Sequence, residues 1–279
     1  MQPLFKNQKL AEQFEADGYV KIHFASPAEI KSLKEIFAGK YDASGFKQTE
    51  FFYSLLANNA TENIEFKKEI AAILQPCFEN YFENYRVIAE SFLAKPYTTE
   101  SMLLHQDWSY TDETKNNCAT LWLPLQEVHA ENGALFLLKG SHRFFKTIRS
   151  GSYPTARIKL DVELSKHVTQ VEVKEGEAVF FHPALFHGSS PNSGNALRII
   201  TAALVLPDEE TITYCHPKNV HTLNAFSLTE EYYFSQINLL AKGVEPIGSA
   251  SLSSQIYNHL IPSAEMLLDK AKNNLCYAV

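Results

Sequence analysis

The sequence predicts an α+β molecule with a mainly-β core flanked by N- and C-terminal helices, and three observations predict it. Apolar residues recur at helical spacing through positions 1–86. Short β-rich runs then follow one another over 87–207 with no helix between them, and helical texture returns after Pro207. Strands at short intervals without intervening helices indicate an antiparallel sandwich or barrel, not a parallel α/β sheet.

Taken in order, LAEQFEADGYVKI reads as a short amphipathic helix closed by Asp17-Gly18, with a strand from Tyr19. Ser26-Pro27-Ala28-Glu29 is a capping box with proline at the first helical position, opening a helix over 27–38. Over 61–82, Ile64, Ile70, Ile73, Leu74, Phe78 and Phe82 keep a helical period whose plain meaning is core packing. Pro76 predicts a kink or break there. The runs VIAESFLA, ATLWLPLQEV, ALFLL, VTQVEV, EAVFFHP and LRIITAALVLP read as strands, bounded by Gly, Asn, Pro and Asp clusters. Asn132-Gly133 is a structural hairpin signal, and Gly140-Ser141 a second turn. Past Pro207, TITYCHP reads as a strand and SLTEEYYFSQINLLAKG as a helix with Ser227 and Glu230 forming a second capping box. Positions 243–254, rich in Gly, Ser and Pro, read as a loop, and SAEMLLDKAKN as a closing helix. No linker separates these segments. The expected organisation is a single domain over 1–279, with a helical N-terminal segment over 1–86, a β core over 87–207, and a C-terminal strand and helices over 208–279.

Composition removes several classes of function. Of 279 residues, 45% are hydrophobic and 20% charged, which suits a packed core and argues against disorder. The 25 Lys+Arg against 32 Asp+Glu leave a formal charge of −7 and a pI near 5.8. An acidic chain without Lys/Arg blocks lacks the electrostatic footprint of a nucleic-acid binder. Cys77, Cys118, Cys215 and Cys276 stand far apart with no C-x-x-C pair, so zinc-finger and redox-motif readings have no support. The N-terminus has no apolar h-region, and no run of ~18 apolar residues occurs. These features lead to the expectation of a soluble cytoplasmic protein, monomer or homodimer, that meets neither membrane nor nucleic acid and acts on a small molecule.

Histidine, the commonest metal ligand, directs attention to two places. In Leu104-His105-Gln106-Asp107, the imidazole and the carboxylate sit two residues apart and project to one side of an extended segment. His187 ends the apolar run EAVFFHPALF. Two His and one carboxylate with open positions opposite suit non-haem Fe(II) oxygen chemistry. Arg198 opens an otherwise apolar strand, an expensive place for a guanidinium unless it meets an anion, and its planar fork suits a carboxylate. Alone, His187 reads first as a core histidine and Arg198 as a sheet-edge ion-pair partner. Their order and spacing together carry the argument. His182 offers no such context, since Ser193 stands eleven residues on where His187 has Arg198. It reads as a packing residue.

The motifs FLAKP with Lys95, LHQD with His105 and Asp107, LWLPLQEVHAENGALFLLKGSHR with Trp122, and FHGSSPNSGNALR with His187, Ser189 and Arg198 lie over 92–198. In these the chain resembles the phytanoyl-CoA dioxygenase-like branch of the Fe(II)/2-oxoglutarate oxygenases. The likeness is weaker in DGYV and the following helix and ends near Pro207. It implies a double-stranded β-helix, the cupin-like jelly-roll. It implies Fe(II) held by His105, Asp107 and His187, with 2-oxoglutarate as co-substrate and O2 as oxidant. Arg198 would take the distal carboxylate of 2-oxoglutarate, helped by the Ser189 hydroxyl, with Lys95 and Trp122 lining the co-substrate pocket. On its own, Lys95 before Pro96 reads equally as a solvated loop lysine, and Trp122 as core. Trp108, Tyr110, His142, Arg143 and Phe186 are candidate substrate contacts.

The implied reaction is hydroxylation of an unactivated C–H in a small or mid-sized metabolite, with release of succinate and CO2. Halogenases related to this branch lack the carboxylate, so Asp107 favours hydroxylation; desaturation or ring closure on the same ligands stays open. The chain has no basic cluster suited to CoA phosphates, and carrier-bound substrates stay open. The rival from another class is a non-catalytic cupin-like protein that binds metal or ligand. Arg198 separates the two, because a plain metal site needs no co-substrate anchor. A cupin dioxygenase with three His and a Glu is opposed by the His-x-Asp pair.

Overall fold

Strands whose residues are buried on both sides read as unbroken apolar runs, and this explains the texture of EAVFF and ATLWLP. The computed structural model describes residues 3–42, 46, 51–98, 100–115, 117–145 and 147–275, and Cys276 falls outside them. Its elements are α1 (Gln8–Asp17), β1 (Tyr19–His23), α2 (Pro27–Lys40), β2 (Phe52–Tyr53), α3 (Ser54–Ala57), α4 (Ala60–Tyr81), β3 (Tyr85–Lys95), β4 (Met102–His105), β5 (Ala119–Pro124) and β6 (Leu135–Leu137). There follow α5 (Val162–Ser165), β7 (Thr169–Val171), β8 (Glu177–Phe181), β9 (His187–Ser189), β10 (Arg198–Pro207), β11 (Ile212–Asn219), β12 (Thr222–Leu228), α6 (Glu230–Ala241), β13 (Ala250–Ile256) and α7 (Ala264–Leu275).

The strands form a six-stranded sheet β1-β8-β5-β10-β3-β2, a four-stranded sheet β4-β9-β6-β7 and a three-stranded sheet β11-β12-β13. Every pairing is antiparallel. Trp122, Val179, Phe181 and Ile200 of the larger sheet pack against Leu135, Leu137 and Val171 of the four-stranded one. The alternate residues Leu121, Leu123 and Phe180 face the opposite way, into a core shared with Ile30, Leu33 and Phe78 of α2 and α4. This is the double-stranded β-helix with helices on one outer face. Each apolar side chain taken from water there contributes about 1.5–3 kcal/mol.

Local signals hold at the N-terminal end. Gly18 closes α1 in the left-handed conformation at φ 79, where its N–H reaches Phe14 O. Ser26 and Glu29 exchange both capping-box bonds at the start of α2, which runs two residues past the expected end. Other expectations need correction. Helix α4 continues through Pro76, because Ile70, Leu74, Cys77 and Phe78 bury one face against the sheet and outweigh the lost backbone bond. Asn132-Gly133 turns the chain, but β5 and β6 on either side belong to different sheets, so no hairpin forms. Thr229, not Ser227, caps α6, accepting from Tyr232 N; Ser227 is still in β12, opposite Thr213. Positions 243–254 are not all loop: β13 lies at their end, exposed along its whole length, so no burial alternation marks it in the sequence. The C-terminal segment therefore carries three strands where one was expected, and the N-terminal segment supplies both edge strands of the six-stranded sheet.

The described cysteines Cys77, Cys118 and Cys215 are buried free thiols. Among the described residues, no helix is long and apolar enough to cross a membrane.

Candidate metal and co-substrate site

His105 and His187 are brought together by strand register. β4 and β9 pair antiparallel with these two residues opposite each other, and the rings lie 4.3 Å apart. Each ring turns Nδ1 to a backbone carbonyl two residues back: Leu103 O at 2.8 Å and Leu185 O at 2.9 Å. A ring N–H donated there leaves Nε2 of each ring with a free lone pair, the form in which an imidazole can take a metal. Asp107 lies just past the end of β4, with Oδ1 3.6 Å from His187 Nε2. Its other oxygen accepts from Thr120 Oγ1 at 3.0 Å. One ligand atom from each of the three lies within 4.8 Å of the others. Burial, and then the neighbouring His187, push His105 down to about 4 against the pull of Asp107. At neutral pH that ring is uncharged, the form that binds metal.

The backbone around Asp107 is fixed from two sides. Its N–H donates to Pro183 O at 2.8 Å. Its carbonyl accepts from Arg149 Nε at 2.6 Å, while the same buried guanidinium pairs with Glu113 at 2.5 Å. Gly188 between His187 and Ser189 lets the strands close up: a Cβ there would lie 2.4 Å from Met102 O and from the Phe136 ring.

Arg198, at the start of β10, is 3% exposed. Nη1 donates to Gly133 O at 2.8 Å and the guanidinium carbon lies 5.4 Å from the Trp122 ring centroid. Its Nε is buried without a hydrogen-bond partner. Burial lowers the group to about 10, so it keeps its charge at neutral pH. A buried cation with an unanswered N–H is chemically suited to an anion. Ser189 shares a strand face with His187, and its Oγ accepts from Lys95 Nζ at 3.0 Å. Lys95 also donates to Ser190 O at 2.5 Å, and burial, then Arg198, push it down to about 7.

A cavity of about 520 Å³ joins the three-residue cluster to Arg198, Ser189 and Trp122. Trp108 and Tyr110 line it as well. Four candidates lie elsewhere. Lys95 lies opposite Arg198 on β3, but its Nζ is used on Ser189 Oγ and Ser190 O and it is not part of the cavity lining. Phe186, adjacent to His187, points to the opposite face of its sheet, among Phe136, Leu138 and Phe145. His142 Nε2 meets Glu15 O at 3.0 Å and Arg143 donates to Ala16 O at 3.0 Å, so both are used on carbonyls at the C-terminal end of α1, where the Arg143 charge is also favoured. His182 packs beside His142 and accepts from Ala184 N.

Sequence reasoning missed Thr120, Arg149, Tyr53, Arg157 and the α6 residues Tyr233 and Ile237. Of these, Tyr53, Thr120, Arg157, Tyr233 and Ile237 line the cavity. Thr120 had a usable signal, being two residues from Trp122 on β5 and therefore on its face. The others had none.

A sequence profile of the phytanoyl-CoA dioxygenase family (PhyH) matches residues 14–200, more than half of the chain. The chain belongs to the phytanoyl-CoA dioxygenase family. Among its relatives, the probable alpha-ketoglutarate-dependent hypophosphite dioxygenase of Stutzerimonas stutzeri is 27% identical over 123 residues, 42% of this chain and 43% of that one. Human peroxisomal phytanoyl-CoA dioxygenase is 29% identical over 106 residues, 34% of this chain and 30% of that one. The chain thus spans less than half the length of these relatives. Two solved structures share the fold. The epimerase SnoN, in complex with Fe3+, alpha ketoglutarate and nogalamycin RO, has 18% identity and a TM-score of 0.53 over 88% of this chain and 95% of its own. EvdO2 from Micromonospora carbonacea var. aurantiaca, complexed with 2-oxoglutarate, has 16% identity and a TM-score of 0.53 over 74% and 94%. The family match ends near the start of β10, so α6, which walls one side of the cavity, lies outside it.

Proposed function

We propose that the protein is an Fe(II)- and 2-oxoglutarate-dependent dioxygenase that hydroxylates an unactivated C–H of a small or mid-sized metabolite. In the balanced reaction R–H, 2-oxoglutarate and O2 give R–OH, succinate and CO2. One observation carries the reading: a single cavity contains a His-Asp-His donor set and a buried arginine with an unpartnered N–H.

The residues present fit the groups this reaction needs. Two imidazole nitrogens and one carboxylate oxygen form the donor set preferred by ferrous iron with open positions, and the orphaned Nε of Arg198 fits a carboxylate. Bound iron and 2-oxoglutarate supply the oxygen activation. The chain's own contribution is positional. His105, Asp107 and His187 hold the metal, and the Leu103 and Leu185 carbonyls keep the two rings in the ligating tautomer. Thr120 holds one Asp107 oxygen so that the other faces the donor cluster. Arg198, flanked by Trp122, grips the far carboxylate of the co-substrate, and Ser189 adds a hydroxyl beside it. The apolar walls exclude water and hold a C–H of the substrate near the metal. Asp107 would occupy the ligand position that a halide needs, which favours hydroxylation over halogenation.

Anaerobic addition of Fe(II) and 2-oxoglutarate tests this directly. A weak visible charge-transfer band is expected, absent in His187→Ala. In Arg198→Gln it should need roughly 10- to 100-fold more 2-oxoglutarate, as expected for losing a charge-assisted bond of about 1.5–3 kcal/mol. No band at millimolar co-substrate would overturn the reading. A metabolite panel scored by succinate release separates an enzyme from a non-catalytic cupin-like binder. The mass of the product then distinguishes hydroxylation, which adds one oxygen, from desaturation or ring closure, which removes two hydrogens.

A further inference from the structure

Arg157 is a charged residue in the cavity that the metal and co-substrate residues leave unused. Leu104 and Ile158 exchange both backbone hydrogen bonds, at 2.9 Å each. Antiparallel register then sets His105 opposite Arg157, and alternation puts Thr155 on the same side as Arg157. Both line the cavity, while Leu104 and Ile158 point away into the core under α7. Arg157 is exposed, and among the described residues its guanidinium has neither a hydrogen bond nor an ion pair. It is thus a second cation in the chamber, distinct from Arg198, with its charge free.

The rest of the chamber is of a different character. Trp108, Tyr53, Tyr110 and Tyr233 supply aromatic surface, and Ile237 and Leu204 aliphatic surface. Phe51 and Leu56 line it too and are about 40% exposed, so apolar surface continues out to the rim. A chamber of about 520 Å³ is within the ordinary range of small-molecule sites.

We propose that the substrate is an amphiphilic anion: an aromatic or alicyclic body packed among the tyrosines and α6, with one carboxylate or phosphate group on Arg157. This rests on the dioxygenase reading and narrows its substrate. A single guanidinium fits one anionic group rather than the several phosphates of a CoA ester.

The chain's two tryptophans, Trp108 and Trp122, both line the chamber, so intrinsic fluorescence reports its occupancy. The probes are 4-phenylbutyrate, 3-phenylpropyl phosphate and methyl 4-phenylbutyrate. They are titrated into protein loaded with Mn(II) and saturating 2-oxoglutarate, so that Arg198 is already engaged. At least one of the two anions should bind tenfold or more tighter than the neutral ester, and which one does so identifies the head group. The preference should shrink with added salt, vanish in Arg157→Gln and partly survive in Arg157→Lys. Equal binding of ester and anions, an undiminished preference in Arg157→Gln, or anion binding that 2-oxoglutarate abolishes would overturn the proposal. The charge-transfer band of the wild-type protein decides the dioxygenase reading separately, so either can fail without the other.

Discussion

His187, Gly188 and Ser189 occupy three successive positions of β9, each constrained from a different direction. His187 and Ser189 face the cavity, one as part of the His-Asp-His cluster and one with its hydroxyl on Lys95, while the residue between them must leave room for the Phe136 ring and the Met102 carbonyl. A methyl group at 188 would fall 2.4 Å from both. Overpacking of this kind costs about 1–3 kcal/mol, and here the strain falls on the strand that carries His187. Gly188→Ala is therefore expected to lower the unfolding midpoint and also to weaken Mn(II) binding tenfold or more. Isothermal titration beside thermal unfolding checks it; a stability loss with unchanged metal affinity would show that β9 yields without moving His187. Thr120 and Arg149 act one layer further out, on the Asp107 carboxylate and on its backbone.

Strand β3 carries a bulge where it pairs with β10: Ile88 opposes Leu204 and Ser91 opposes Ala202, leaving Ala89 and Glu90 against one residue. Ala89 adopts φ 59 there and lines the cavity. Bulges re-aim side chains next to sites, and this one also buries Glu90, 2% exposed, with Oε2 lacking a partner. Burial, with Glu230 adding to it, pushes Glu90 up to about 7, against its own backbone N–H and Lys67. Between about 4.5 and 7 the folded chain keeps a proton that the unfolded chain has lost. The associated stability is complete below 4.5 and is lost as pH rises through 7, by ~3 kcal/mol at most. Glu90→Gln should therefore gain stability over the wild type on going from pH 5 to pH 8. Urea unfolding at the two values checks it, and parallel pH dependence in both proteins would contradict it.

The groups that converge on the cavity come from both sheets of the β-helix: His105 and His187 from the four-stranded sheet, Arg198 and Thr120 from the six-stranded one, and Tyr233 from α6 beyond them. A metal and co-substrate bound between them would tie the two sheets to each other and stabilise only the folded chain. At concentrations near 100 times the dissociation constant this linkage is worth about 2.7 kcal/mol. With roughly 2–4 °C per kcal/mol for a domain of this size, Mn(II) with 2-oxoglutarate should raise Tm by ~5–10 °C. EDTA should reverse the rise, and Asp107→Ala should abolish it. An unchanged Tm in the wild type would mean that the three side chains do not bind metal together.

Much of this architecture was legible from local pattern. Ser26 and Glu29 cap α2 as their spacing predicts, Asp17-Gly18 ends α1, and the β-rich runs become the strands of the jelly-roll, because caps, turns and periodicity depend on dihedral preferences within a few residues. The donor residues His105, Asp107 and His187 were legible as residue types in a known order. Their convergence was not, for it depends on the register that sets residue 105 opposite 187. Nothing in the sequence marks the Gly133 carbonyl as the partner of Arg198. Nor does anything there turn His142 and Arg143 away to α1, or bring Tyr233 and Arg157 to one chamber. Those contacts join segments far apart in the chain, and they are selected by the burial of whole sheet faces, a property no short stretch of residues possesses.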